Sequence, residues 1–289
     1  GILGVDDDHN GYVDDIRGWN FLRQWDDPSE TYFSFPHGQH VSGLIAATAN
    51  NQLGVAGIAN SRVKIMGLNV FNTTTPGQDT GQPLVVMEQA LRYAADTGAQ
   101  VVNLSLGRIG KSSTMLAALK YAVSKNLFVV AAAGNNSQAI DEGRPFAPSY
   151  YARELNGMLS IAATDSNPEL SSEDLSSGCS FTNYGPQYVD LAAPGCDSQE
   201  GHINHGLLST GYHAPDNPQA NDYVYMAGTS MASPLVAGAA ALVISYIHQH
   251  SGIYPTNTLV ENILQQSARH QTNLERVSSN GRHLDLPLL

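Results

Sequence analysis

Val101-Val102-Asn103-Leu104-Ser105-Leu106 is an extended-looking apolar run, residues 114–125 carry a helical period, and Leu127-Phe128-Val129-Val130-Ala131-Ala132-Ala133 is a second apolar run of strand length. Strand, helix and strand in that order predict neighbouring parallel strands joined by a helix. Upstream, residues 63–71 read as extended and residues 83–97 as helical. In that helix Leu84, Met87, Leu91, Ala94 and Ala95 share one face, Pro83 suits the opening turn and Gly98 the end. Such a stripe packs in a core. Downstream, residues 158–163 and 189–193 read as strands. An Ala-rich helix is expected from residue 230 to about 250, and a last helix from about 257 to 267. The expected fold is a doubly wound α/β three-layer sandwich around a mostly parallel sheet, in one domain over residues 1–289. Turn-rich residues 72–82, 138–144, 167–178 and 197–221 read as surface loops.

The 289 residues are 42% hydrophobic, enough for one large core. Acids outnumber bases 26 to 14, giving a net charge of −12, which repels nucleic-acid phosphates. No nucleic-acid partner is expected. The apolar run 235–247 stops short of the ~20 residues that span a bilayer, so no membrane association is expected either. Gly1 rather than Met opens the chain with no leader-like stretch, so a leader is expected to have been removed. Cys179 and Cys196 lie 17 positions apart beside two extended-looking stretches, residues 180–184 and 189–193. They are either a disulfide, which implies an oxidising compartment, or two buried thiols.

Gly228-Thr229-Ser230-Met231-Ala232-Ser233-Pro234 sits where a polar loop becomes a strongly apolar helix. Ser230 there has a backbone N–H and the positive end of the helix dipole on hand for a developing oxyanion. The bland reading is an N-cap serine. A Gly-x-Ser-x-Gly elbow is ruled out by Ala232. The seven residues resemble, without a break, the reactive-serine signature of the subtilisin-like proteases, or subtilases. His37-Gly38-Gln39-His40-Val41-Ser42-Gly43 resembles that family's histidine motif, with Gln39 where Thr is usual and Ser42 where Ala is usual. His37 is then the general base. Two histidines three apart could instead hold a metal, although no acidic or Cys partner stands nearby. Residues 129–135 end in Gly134-Asn135, which by itself is an ordinary turn. By resemblance, Asn135 supplies the side-chain amide of the oxyanion hole. His37, Asn135 and Ser230 also follow the family's order along the chain.

The resemblance implies a serine endopeptidase that forms an acyl-enzyme on Ser230. Asn103-Leu104-Ser105-Leu106-Gly107 resembles the strand that pairs with substrate. Ser105, Leu106 and Gly107 would form one wall of the specificity pocket, Ala132, Ala133 and Gly134 the other, with Thr229 beside them. No acidic residue stands there to select a basic side chain, so apolar or broad specificity is expected. Protein or peptide substrates, including a propeptide of its own, a monomeric state and a secreted or periplasmic location are implied as well. Gly281-Arg282-His283-Leu284-Asp285-Leu286 resembles the family's closing strand.

The triad's aspartate is missing. The family draws it from Asp-Ser/Thr-Gly at the end of the first core strand, and neither tripeptide precedes His37. The expectation is that the N-terminal helix and first core strand are absent and that this aspartate lies upstream of Gly1. The competing reading takes Asp6, 31 positions before His37, as the triad member. Residues 6–15 carry another pattern: Asp6, Asp8, Asn10, Gly11, the Tyr12 carbonyl and Asp14 match positions 1, 3, 5, 6, 7 and 9 of a calcium loop. Arg17 replaces the bidentate Glu, and Asp15 could fold back in its stead. Calcium, held structurally by Asp6, Asp8, Asn10, Tyr12 and Asp14, is weighed against a solvated acidic turn. The rival function is a catalytically impaired subtilase-like domain acting as a binding module.

Overall fold

The computed structural model describes residues 2–26, 36–71, 84–165, 179–197, 206–211 and 222–286. In chain order the elements are β1 (Gly18–Asn20), α1 (His37–Ala46), β2 (Gly67–Asn69), α2 (Leu84–Asp96), β3 (Val101–Leu104), β4 (Arg108–Ile109), α3 (Ser113–Ser124) and β5 (Phe128–Ala132). There follow β6 (Phe146–Ala147), β7 (Met158–Asp165), β8 (Leu191–Cys196), β9 (Leu207–Thr210) and β10 (Tyr223–Met226), then α4 (Thr229–Ser251), α5 (Asn257–Gln266), β11 (Arg269–His270) and β12 (Arg282–His283). One six-stranded sheet runs β11-β12-β8-β7-β5-β3, parallel throughout except for the β11–β12 pair.

The unbroken apolar runs read from the sequence have a physical cause. On β5, Phe128 and Val130 face the α4 and α5 side with Val236, Ala240 and Val260, while Val129 and Ala131 face the α2 and α3 side with Leu91, Met115 and Leu119. A strand covered on both faces has no solvent side for polar residues. Each such side chain contributes about 1.5–3 kcal/mol on burial. The result is an α/β three-layer sandwich with a mainly parallel sheet, as expected. The Ser112 side chain caps α3 by accepting from the Met115 N–H at 3.1 Å.

Several expectations need correction. Of residues 63–71 only Gly67–Asn69 is strand, and it pairs with β1, a strand not foreseen, instead of joining the main sheet. Residues 180–184 form no strand, because the Asn183 N–H and side-chain amide bond the Gly134 and Ala133 carbonyls and so tie this stretch to a loop. Residues 188 and 189 turn back onto the Gly185 carbonyl, so β8 starts at Leu191. Inside the expected loop 197–221, Leu207–Thr210 is a strand paired antiparallel with β10. Its Ser209 and Thr210 hydroxyls donate to the His40 and Gln39 carbonyls, fixing it against α1. The helix α4 has 23 residues and is long and apolar enough by composition to cross a bilayer, unlike the shorter run counted from sequence. Here it packs into the core. The expected loops 72–82 and 167–178, and Pro83, lie outside the described residues.

Candidate active site

The start of α4 is tied down by the ends of three strands. Gly228, at φ +156°, donates its N–H to the Gly195 carbonyl of β8 at 2.9 Å. Thr229, 1% exposed, donates its N–H to Asn135 Oδ1 at 2.9 Å and its hydroxyl to the same oxygen at 2.8 Å. Its Oγ1 accepts from the Gly134 N–H at 3.1 Å. Beyond β3, Ser105 donates its hydroxyl to the Ser230 carbonyl at 2.8 Å, lies 3.0 Å from Ser233 Oγ and receives the Asn103 side-chain amide at 2.8 Å.

Pro234 explains that last bond. It lies beyond the free first turn, at the position whose N–H would bond the Ser230 carbonyl, and proline has none to give. Pro234 therefore does not belong to the opening turn, and Ser105 supplies the missing donor. Sequence reading had placed Ser105 only in the substrate wall.

Both expected oxyanion donors face one small space. With Asn135 Oδ1 turned to Thr229, its Nδ2 is left facing Gly228. A methyl group built on Gly228 would stand 3.3 Å from Asn135 Nδ2 and 3.6 Å from the Ser230 N. Any side chain there would crowd both nitrogens.

His37 opens α1, which packs on α4 through Val41, Leu44 and Met231. Burial, and secondarily His40, hold its imidazole down to about pKa 4. The Ser230 hydroxyl donates to the Ser105 carbonyl at 3.3 Å, a long bond. The structure thus unites Ser230 with Asn135 and sets His37 on the adjoining helix, without a Ser230–His37 hydrogen bond among the described residues. The metal alternative for the histidine pair finds no support, since His40 is buried with its Nε2 2.9 Å from the Leu207 carbonyl.

Gly107 and Gly134, which end the two expected walls, both abut Phe146, a residue that sequence reading missed. A methyl group on Gly107 or Gly134 would strike the Phe146 ring at 2.3 or 2.7 Å. Phe146 belongs to the short β4–β6 pair, too brief to leave a pattern in the sequence. The two cysteines form a disulfide, which settles that alternative.

The acidic loop closes on itself. Asp6 accepts from the Gly11 and Asn10 N–H groups at 2.8 and 3.1 Å, and these bonds, Gly11 foremost, hold its carboxyl below the usual range. The Asn10 amide donates to Asp8 and Asp15 at 3.1 and 2.8 Å, and Asp14 accepts from the Gly4 N–H at 2.6 Å. Tyr12 anchors the loop by edge contacts to Trp19, Phe21 and Tyr93. Gly11, at φ +92°, fits the sixth position of a calcium loop. The donor set does not fit, because no three acidic, His or Cys side chains among the described residues surround one point. Asp6 is bound to its own loop through the Asn10 and Gly11 N–H groups.

A serine on the first turn of a buried helix, with the Asn135 amide close by under parallel strand ends, is the layout expected of a serine hydrolase of α/β type. Comparison then narrows the class. The profile of the subtilase family matches residues 4–282, and the chain belongs to that family of serine proteases. It is 37% identical over 245 residues to a thermophilic serine proteinase of Bacillus sp. (strain AK1), covering 84% of this chain and 50% of that protein. It is 34% identical to thermitase of Thermoactinomyces vulgaris over 82% of this chain and 70% of that one. The chain thus spans about half the length of the Bacillus proteinase. A solved protease of Pseudoalteromonas arctica superposes with a TM-score of 0.67 at 30% identity, over 87% of this chain and 69% of that one. A cold-adapted subtilisin-like proteinase, at 24% identity and TM-score 0.67 over 92% of this chain and 79% of that one, shares the fold.

Proposed function

We propose that the chain is a peptidase domain that cleaves peptide bonds through an acyl-enzyme on Ser230. His37 takes the hydroxyl proton as Ser230 Oγ attacks the carbonyl, then passes it to the leaving amine. Water hydrolyses the ester with His37 again as base. Asn135 Nδ2 and the Ser230 N–H stabilise the oxyanion in both halves of the reaction. The observation that carries the reading is the convergence of those two donors beside Gly228. Substrate runs extended along Ser105–Gly107, with its side chain between that segment and Ala132–Gly134. The Phe146 ring against Gly107 and Gly134, and the lack of an acid in these segments, support apolar or broad preference.

Secretion belongs to the proposal, supported by the disulfide. Monomeric action on proteins, with a propeptide as one substrate, follows from the family alone. For calcium at Asp6, Asp8, Asn10, Tyr12 and Asp14 only the residue order and the Gly11 turn speak, and the loop's bonds to its own N–H groups speak against it. Calcium titration that raised the melting temperature would reinstate the ion.

Reaction with a fluorophosphonate probe tests the whole reading. An adduct on Ser230, abolished by Ser230→Ala and slowed by His37→Ala, is expected, and an inert Ser230 overturns it.

A further inference from the structure

After β5 the chain from Gly134 to Ile140, which carries Asn135, belongs to no helix or strand of the fold. Its shape comes from residues 180–184. The Ser137 and Ile140 N–H groups donate to the Phe181 and Tyr184 carbonyls, each at 2.8 Å. Between these two bonds stands Asn183, wholly buried. Asn183 donates its N–H to the Gly134 carbonyl at 2.8 Å and its side-chain amide to the Ala133 carbonyl at 2.9 Å. Its Oδ1 accepts from the Asn136 N–H at 2.9 Å and the Gln138 N–H at 3.3 Å. One side chain thus grips the backbone on both sides of Asn135, whose own side chain stays turned to Thr229.

The grip is close. Gly134 has φ +100°, and a methyl group on it would stand 2.5 Å from Asn183 Nδ2, so only glycine lets the amide approach. A second support holds the other oxyanion donor. The Gly195 carbonyl accepts the Gly228 N–H, two residues before Ser230, and a methyl group on Gly195 would lie 2.7 Å from the Gly228 oxygen and 2.6 Å from Ala163 Cβ. The two supports are joined covalently. Cys196 follows Gly195, Cys179 stands four positions before Asn183, and the two cysteines are bonded. Both supports also rest on the same residue of β7, since Thr182 Oγ1 accepts the Ala163 N–H at 3.0 Å.

We propose that Asn183 is a positioning residue of the reaction, setting the Asn135 amide relative to the Ser230 N–H, and that the Cys179–Cys196 bond keeps its segment in register with Gly195. The proposal rests on the catalytic reading above, in which those two donors stabilise the oxyanion. Such donors act because they are aimed before charge develops, so a small displacement of one of them forfeits much of its effect. Asn183 and the disulfide act through the backbone of residues 133–138 and 195–228, not on substrate. Their loss therefore falls on the transition state and leaves ground-state binding unchanged.

The test uses the whole protein carrying Asn183→Ala, or Cys179→Ala with Cys196→Ala, each with and without Asn135→Leu. Three quantities are read: fluorophosphonate labelling of Ser230, affinity for a peptide boronic acid, and affinity for the matching peptidyl alcohol. The boronic acid adds to the serine as a tetrahedral adduct with an oxygen in the oxyanion site, and the alcohol forms no adduct. Each variant is expected to slow labelling and weaken the boronic acid roughly 10-fold, with the alcohol bound as in the parent. In the Asn135→Leu background neither change adds a further loss. Equal slowing in both backgrounds, or equal weakening of both ligands, is what a merely structural role gives and overturns the proposal. An inert parent overturns the catalytic reading and this proposal with it, whereas a labelled parent that Asn183→Ala leaves unaltered overturns the positioning role alone. A parental rate in the cysteine pair removes the disulfide's share. If Asn183→Ala loses its native circular dichroism, the cysteine pair, which retains the Asn183 side chain, carries the same comparison.

Discussion

Replacing Thr229 by Val removes a buried hydroxyl that joins the end of β5 to the start of α4 while nearly keeping its shape. Asn135 Oδ1 loses the donor at 2.8 Å and keeps the Thr229 N–H at 2.9 Å, so one of two bonds that orient the amide disappears. A neutral hydrogen bond is worth about 0.5–1.5 kcal/mol net. At about 1.36 kcal/mol per decade, the acylation rate falls about 2- to 13-fold. The Gly134 N–H loses its acceptor as well, and a buried donor left unpaired costs about 1–3 kcal/mol of stability, read as a lower urea midpoint. Rates of fluorophosphonate labelling are compared for the parent, Thr229→Val, Asn135→Leu and the double variant. Asn135→Leu is expected to lose ~10²–10³, a figure known from subtilisin, a member of the same family, and taken over from it. If Thr229 acts only by holding the amide, the double variant labels no more slowly than Asn135→Leu. A full additive loss refutes the positioning role.

Ser105→Ala leaves the Ser230 carbonyl without the donor that Pro234 cannot give, and should cost about 1–3 kcal/mol of stability and slow labelling. Adding Pro234→Ala restores a helical N–H to that carbonyl and should recover part of the loss in urea melts; no recovery contradicts the explanation. With the His37 imidazole held at about pKa 4, the base is neutral above that value. Labelling should therefore rise between pH 3 and 5 and stay level to neutrality, and a limb near the ordinary imidazole pKa of about 6.5 would be incompatible. Burial pushes the Asp190 carboxyl up to about 7, so the fold favours its neutral form. Its contribution is whole below about pH 4, the unfolded value, and lost as pH rises through 7. The stability of Asp190→Asn relative to the parent should climb over that window by at most about 4 kcal/mol, and a pH-independent difference defeats the assignment.

The sheet and its helices were legible because burial on both faces writes long apolar runs, as in residues 127–133. The short pairs were not. Gly18–Asn20 and Leu207–Thr210 owe their conformation to partners far along the chain, β2 and β10, and to the His40 and Gln39 carbonyls. Residues 180–184 look like a strand by composition, yet Asn183 diverts their hydrogen bonds to the loop after β5. At the site, the motifs offered Ser230, His37 and Asn135 as candidates. Two features emerged only in three dimensions, the Ser105 bond that fills the gap left by Pro234 and the Phe146 ring against Gly107 and Gly134. The acidic loop shows the reverse case: a ligand-like order of residues that satisfies its own N–H groups instead of gathering round a point.

The two halves of the chemistry depend on different parts of the fold. Ser230 and the oxyanion donors are held by β3 through Ser105, by β5 through Gly134 and Asn135, and by β8 through Gly195, each bonded to the first turns of α4. His37 stands instead on α1, which meets α4 through Val41, Leu44 and Met231. The base and the nucleophile thus depend on different elements, and a substitution that loosens the α1–α4 contact, such as Leu44→Ala, should slow acylation while leaving the bonds around the first turn of α4 intact.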